Sequence, residues 1–292
     1  MNPVVFTGIV VTFNEEQHLA ECLSALGFCS ELIVVDLGSE DRSTEIALQF
    51  GARVVRHEWV PAVEHVREFA VAQARHQWIV FMDPDMIFPA HLAPMINNTI
   101  QNDPRLGAIN IRYRNYFLGK PVKYGRWGGD RAYPAVFRQD AMEFPPIAHR
   151  GFQLRQGFSA VTLTGGEADL ITHYWVDSLA HLFDKHKRYV RLEGPARYAI
   201  GERFSYLRLA IEVPYAVLSS LLLKRGILDG WVGVYLSFFN GWWTWNYLLS
   251  LRDYQQVMEK EGLARPGKPS KLLRALHKVA KKMGVARSKI IR

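Results

Sequence analysis

The sequence predicts an α/β protein built on a mostly parallel sheet. Two observations carry that expectation. Short apolar runs of strand length recur with helical stretches between them, at "VVFTGIVVTF" (4–13), Ile33–Val35, "RVVRHEW" (53–59) and "WIVFMD" (78–83). The first and the fourth are apolar almost throughout instead of alternating, as strands buried on both faces are. Strand, helix, strand, helix at this spacing implies a parallel sheet with crossover helices.

Each element has its own local signal. After the first run, Asn14-Glu15-Glu16 open a helix over about 15–26, with the acidic pair where the helix dipole favours negative charge. Ile33–Val35 form the second strand and "DLGSED" the loop after it. Ser43–Phe50 form the next helix, which Gly51 ends. A helix over about 62–75 leads from the third strand to the fourth. From about 105 to 175, "LGAINIRYRNYFLG", "AYPAVFR" and "ADLITHYWV" read as an antiparallel extension that shapes an acceptor site.

The 292 residues, 49% of them hydrophobic, suffice for one large domain with a core, or a domain plus an appendage. A net charge of +8 points to nucleic acid, an anionic membrane or phosphorylated substrates. No nucleic-acid-binding module is recognisable, which argues against the first. Cys22 and Cys29 make no metal-ligand pattern, and free thiols suit a reducing cytosol. "MNPVVFTGIVVTFNEE" lacks a basic region and cleavage site, so it reads as a first strand and not a signal peptide.

Ligands of parallel sheets bind beyond the carboxyl ends of the strands. Three polar clusters fall there: Asn14-Glu15, Asp36 to Asp41, and Asp83 to Asp85. Loops are polar in general, but acidic clusters pooled on a basic chain suggest a divalent cation, and oxygen ligands suit Mg²⁺ or Mn²⁺. Neither G-x-G-x-x-G after the first strand nor G-x-x-x-x-G-K-[ST] is present, which removes the phosphate cradles of nicotinamide-binding and P-loop proteins.

Taken together, "VVTFNEE", "LIVVDLGSEDRSTEIALQFGARVV", "WIVFMDPD", Phe137-Arg138 and "HYW...KHKRY" resemble the family 2 glycosyltransferases over roughly residues 4–200. The most similar branch acts on lipopolysaccharide core and other envelope glycans. The D-x-D at Asp83 and Asp85 follows Asp36, Gly38, Ser39, Asp41 and Thr44 of a D-x-G-S-x-D-x-x-T pattern. The resemblance implies the GT-A nucleotide-sugar-binding fold, an inverting hexosyl transfer from a nucleotide-sugar, UDP-linked in this reading, and a metal. It implies Asp85 as direct metal ligand and Asp83 on the ribose or on the metal through water, with Pro84 fixing the backbone between them. An Asp-capped turn is the structural alternative for that pair.

By the same resemblance, Asn14, Glu15, Asp36 and Ser39 line the nucleotide, and His173 completes the metal shell. Glu15 as a helix-cap charge and His173 as a structural histidine are the alternatives. Asp41 either touches donor or caps the helix at Ser43. Arg67 is expected near the nucleotide, and Lys185 and Lys187, with Arg188 and Tyr189, near the diphosphate or acceptor; a solvated helix face accounts for each equally. An inverting transfer needs a base at the acceptor hydroxyl. Where the family supplies an acid, this chain reads "IAHRGFQL", with Arg150 in the acid's place. The candidate bases are Glu167, Asp169, Asp177 and His149. A nucleotidyltransferase would want a Gly- and Lys/Arg-rich loop where "VVTFNEEQHL" stands. A catalytically silent membrane scaffold is the other alternative, which Arg150 favours.

Residues 1–200 are thus expected to form the catalytic domain, 201–258 apolar, Trp-rich helices, and 259–292 a basic tail. Trp231–Leu251 has no charge and is long enough to span a bilayer. Its glycines and asparagines and its many Trp favour helices in the membrane surface or against a partner subunit, including a second copy. In "SKLLRALHKVAKKMG", Leu272, Leu273, Leu276, Val279, Ala280 and Met283 share one helical face and the cations the other, as in helices that bind anionic lipid. The expected place is the cytoplasmic face of the inner membrane, with a lipid-linked or envelope-glycan acceptor.

Overall fold

The structure is a computed structural model, and it describes residues 3–129, 131–144, 152–263 and 267. The chain divides into two compact units, residues 1–123 with 128–178, and 124–127 with 179–292.

The first unit opens with β1 (Phe6–Thr12), α1 (Glu16–Ala25), β2 (Glu31–Asp36), α2 (Ser43–Gln49) and β3 (Arg53–Arg56). α3 (Arg67–Ala72), β4 (Trp78–Met82), β5 (Met86–Ile87), α4 (Ala93–Asn102) and β6 (Leu106–Phe117) follow. Then come β7 (Lys120–Pro121), β8 (Arg131–Arg138), β9 (Met142–Glu143), β10 (Gln153–Leu154), β11 (Ser159–Thr162) and β12 (Ile171–Val176). Among the described residues, the main sheet runs β3-β2-β1-β4-β8-β6-β12-β5, with β7 and β11 also on β6.

The apolar runs are explained by two covered faces. Phe6, Val10, Val34, Val80 and Met82 enter one core, with Leu19, Leu23 and Ile96 from helices. Their neighbours Ile9, Val11, Ile33, Val35, Ile79 and Phe81 enter the other, with Val66, Ala70 and Val71. Successive side chains on a strand point to opposite faces, so strands packed on both sides have no solvent-facing row.

Two expectations are corrected. The helix over 62–75 is a 3₁₀ turn, Val63–His65, followed by α3, with Val66 between them at φ −113°. The middle segment is mixed, not purely antiparallel: β8 runs antiparallel to β4 and β6, while β11 and β12 run parallel to β6.

The second unit contains α5 (Leu179–Ala199), α6 (Tyr206–Leu218) continued by a π-helical turn (Ser219–Leu223), and α7 (Gly230–Lys260). Residues 179–199, expected in the catalytic segment, therefore group with this unit. Trp243, Tyr247 and Leu248 of α7 pack with Tyr189 and Val190 of α5 and Leu209 and Val213 of α6. Trp231–Leu251 lies within one continuous helix. Among the described residues, the helical stretch long and apolar enough to cross a membrane by length and composition is Tyr206–Leu223 instead. Asn240, Thr244 and Asn246 lower the apolarity of 231–251. The basic face of residues 271–282 lies outside the described residues.

Candidate active site

The first two loops at the carboxyl edge of the sheet are tied together by side chains. Asn14 adopts the left-handed region, φ 56°, as short polar side chains tolerate. Its Oδ1 accepts the Glu40 N–H (2.8 Å) and its own N–H donates to Ser39 Oγ (3.0 Å). The Glu15 N–H donates to Ser43 Oγ (2.9 Å), and Asp36 Oδ1 accepts the Ser39 N–H (2.9 Å).

Asp41 serves both helix starts, accepting the Ser43 N–H on Oδ1 and the Glu16 N–H on Oδ2, each at 2.9 Å. Burial pushes its carboxyl up, but these hydrogen bonds outweigh that and hold it below the usual carboxylate range. The capping role weighed for Asp41 is thus the observed one. Asn14, Ser39 and Asp36 shape the same double loop; Asp36 is 1% exposed. Thr12 Oγ1, at the end of β1, is buried without a hydrogen-bond partner.

β4 delivers the acidic pair from its buried end. The Met86 N–H donates to the Asp83 carbonyl (3.0 Å), closing a turn, and β5 then pairs with β12, Met86 opposite His173. This pairing brings His173 to Asp85: Nε2 lies 3.3 Å from Asp85 Oδ2, and Nδ1 lies 2.7 Å from Asn115 Oδ1 on β6. When Nδ1–H donates to the Asn115 oxygen, Nε2 presents a lone pair to a carboxylate oxygen. Two acceptors so placed call for a cation between them or a second proton on the ring.

A carboxylate and an imidazole oriented by the Asn115 amide fit a divalent ion of the Mn²⁺ type. Among the described residues, no group of three His, Cys, Asp or Glu side chains converges with metal-holding geometry. The structure therefore brings Asp85 and His173 together, with Asp83 outside such a group.

Behind the acidic turn, buried Cys22 donates its S–H to the Asp83 carbonyl at 3.6 Å. Burial, and then the charges of Asp85 and Asp83, push its thiol well up. Burial and then Asp83 likewise push the Tyr133 phenol up, and its hydroxyl donates to the Phe81 carbonyl at 3.1 Å.

Arg67 is not on a solvated face. It is 8% exposed, its guanidinium lies 4.3 Å from the Phe152 ring centre and 5.7 Å from that of Phe81, and its Nε is buried without a hydrogen-bond partner. A stacked, under-satisfied guanidinium is ready for an anion or a carbonyl.

The candidate bases separate. Glu167 is exposed and held by Arg114 (2.8 Å) and Lys123 (3.3 Å), whose hydrogen bonds put its carboxyl below the usual range. Asp169 is lowered likewise by His91 (2.8 Å) and the Gly166 N–H. Asp177 Oδ2 meets His18 Nε2 at 2.9 Å, and the His18 ring stacks on Tyr174, centroids 4.5 Å apart. His149 lies outside the described residues. Lys185 and Lys187 are on α5 in the second unit, where Lys187 is exposed 3.9 Å from Asp184. His18 and Asn115 escaped the sequence reading, because their partners are 159 and 58 residues away and no local motif marks them.

The model of the family described as "Glycosyl transferase family 2" matches residues 7–159, more than half of the chain. An uncharacterised glycosyltransferase of Rickettsia prowazekii (strain Madrid E) is 25% identical over 253 residues, covering 84% of this chain and 85% of that protein. The lipopolysaccharide core biosynthesis glycosyltransferase LpsC of Rhizobium meliloti (strain 1021) is 21% identical over 117 residues, 39% of this chain and 43% of that one. Among solved structures, glucosyl-3-phosphoglycerate synthase of Mycobacterium tuberculosis, in complex with Mn²⁺, UDP and glucosyl-3-phosphoglycerate, aligns with a TM-score of 0.42. Its identity is 16%, over 65% of this chain and 78% of that one. Because the family model covers more than half of it, the chain belongs to glycosyl transferase family 2, and its mostly parallel sheet is the GT-A fold that this membership implies.

Proposed function

We propose that the protein transfers a hexose, with inversion, from a UDP-sugar to a lipid-linked or envelope-glycan acceptor, using Mn²⁺ or Mg²⁺, at the cytoplasmic face of the inner membrane. The observation that carries the donor side is the Asp85–His173 pair, two converging acceptors held by Asn115 at the carboxyl edge of the sheet.

Asp85 and His173 would hold the ion, leaving its other positions to oxygens of the donor. The ion would neutralise charge that develops on the leaving diphosphate. Asp83 faces the ribose or reaches the ion through water. The loop formed by Asn14, Glu15, Asp36 and Ser39 receives the nucleoside, and the Arg67 Nε supplies a donor to it or to its phosphates. Lys185 and Lys187 are assigned to the acceptor or diphosphate by resemblance alone. For proton removal from the acceptor hydroxyl, Glu167 and Asp169 are poorly suited, because their ion pairs stabilise the unprotonated form and lower basicity. Asp177, supported by His18, and His149 are the bases this reading retains.

Thermal unfolding against a panel of nucleoside diphosphates, with and without Mn²⁺, tests the proposal. A UDP-specific, Mn²⁺-dependent rise supports it; no rise with any nucleotide in folded protein removes the donor assignment.

A further inference from the structure

α6 is patterned inside out. Its buried positions recur every fourth residue, Arg208, Glu212 and Ala216, and Ser220 continues the row in the π turn. Arg208 makes a two-point ion pair with Glu212 (2.8 and 3.1 Å) and reaches Glu202 (2.8 Å). The exposed face carries Leu207, Ala210, Pro214, Leu218 and Leu222. Every exposed residue from 206 to 223 is apolar or Tyr. A helix bordering water does the reverse, burying its apolar stripe and exposing its charges.

The α6–α7 contact has the same character. Asn240 Nδ2 donates to the Ala216 carbonyl (2.8 Å), and Ser237 Oγ donates to Ser220 Oγ (3.1 Å). A Cβ on Gly241 would fall 2.5 Å from Val217 Cγ2, so only glycine lets the helices approach this closely. Polar glue and small residues inside, with leucines outside, is how helices pack when lipid is the solvent. The apolar surface continues past the helix end through Leu223, Ile227, Leu228 and Trp231, at 73%, 53%, 60% and 53% exposure.

The geometry points to α6 and the 222–231 turn as a monotopic anchor, lying in one leaflet of an anionic phospholipid membrane. This deepens the membrane-surface reading proposed above and rests on it. Spanning is disfavoured because α7 packs on its other side against α5, which exposes Lys187, Arg188 and Arg191. Lys224 and Arg225 are exposed between two apolar pairs, Leu222-Leu223 and Ile227-Leu228. Their stems can lie along lipid while their charges reach headgroup phosphates, and this charge complementarity selects an anionic bilayer over an apolar protein surface.

The test uses the full chain in vesicle flotation, with phosphatidylglycerol-containing or pure phosphatidylcholine vesicles. Leu222→Glu/Leu228→Glu alters only exposed positions, and far-ultraviolet circular dichroism checks its fold. A second readout places an environment-sensitive dye on Leu222→Cys in a Cys29→Ser background. The anchor predicts flotation of the wild type with anionic vesicles, a blue shift of the dye, and a loss of about tenfold or more in vesicle affinity for the double variant. Wild-type flotation with an unshifted dye and an equally bound variant would overturn this surface while leaving the membrane reading intact. No wild-type flotation would overturn both. A wild-type dimer that binds no vesicles, and that the double substitution makes monomeric, would reassign the face to a second copy of the chain.

Discussion

Replacing Arg208 with Leu tests the buried ionic row of α6. The side chain is 3% exposed and donates to both Glu212 oxygens, to Glu202 and, at 2.6 Å, to the Arg203 carbonyl. Leu cannot replace any of these bonds, and Glu212, 8% exposed, keeps its charge away from water. Breaking a buried pair from one side costs roughly 3–5 kcal/mol, whereas replacing both partners with apolar groups is often neutral. At about 2–4 °C per kcal/mol for a domain of this size, the midpoint should fall by roughly 6–20 °C. Trp127, Trp231, Trp242, Trp243 and Trp245 belong to the second unit, so tryptophan fluorescence during thermal unfolding reports on it. Arg208→Leu/Glu212→Leu should recover most of the loss. A single variant within about 1 kcal/mol of wild type, or a double variant as unstable as the single, would show that these charges are not coupled and refute the argument.

Other expectations follow from the first unit. Asn115→Leu should weaken Mn²⁺ binding about 10- to 100-fold with the fold preserved, because it removes the partner that orients His173; Mn²⁺ titration of both proteins checks this. Arg67→Met should lower UDP affinity while leaving the unfolding midpoint within a few degrees, since no hydrogen bond of its Nε is lost. Calorimetric titration measures the first quantity and scanning calorimetry the second. Burial pushes the Cys29 thiol up to about 12 and Cys22 also upward. A folded-state value above the unfolded one means this stability is present below the ordinary thiol range. It is lost as pH rises through that range toward about 12, where only the unfolded chain ionises readily. Native protein should accordingly resist thiol reagents at pH 8 and react fully once unfolded.

Much of the catalytic unit was legible in the sequence because its signals are local. Val80 and Met82 face one core and Ile79 and Phe81 the other, so an unbroken apolar run announced a central strand. The carboxylates at its end then marked a sheet edge. His173 was reached through resemblance. Asn115, which gives that histidine its orientation, was not, because only the register of β6 against β12 brings them together. The double loop shows the opposite limit. Asn14 and Ser39 were read as ligand-binding groups and Asp41 as either that or a helix cap, yet the hydrogen bonds of all three hold two backbone turns, a task that polar loop residues perform without any ligand. In the second unit, composition marked 201–258 as apolar helices, but composition does not say which face is inside. That depended on Arg208 and Glu212 pairing in the interior, and it is why the proposed anchor lies on α6 and not on 231–251.

The central claim is that Asp85 and His173 form the cation-holding edge of a nucleotide-sugar site. Mn²⁺ electron paramagnetic resonance tests it most directly, by titrating the wild type and Asp85→Ala with Mn²⁺ in the presence of UDP. The account predicts that UDP promotes Mn²⁺ binding to the wild type, with an imidazole nitrogen in the ion's shell, and that Asp85→Ala, folded as the wild type is, loses it. Equal Mn²⁺ and UDP binding by both proteins would contradict the assignment.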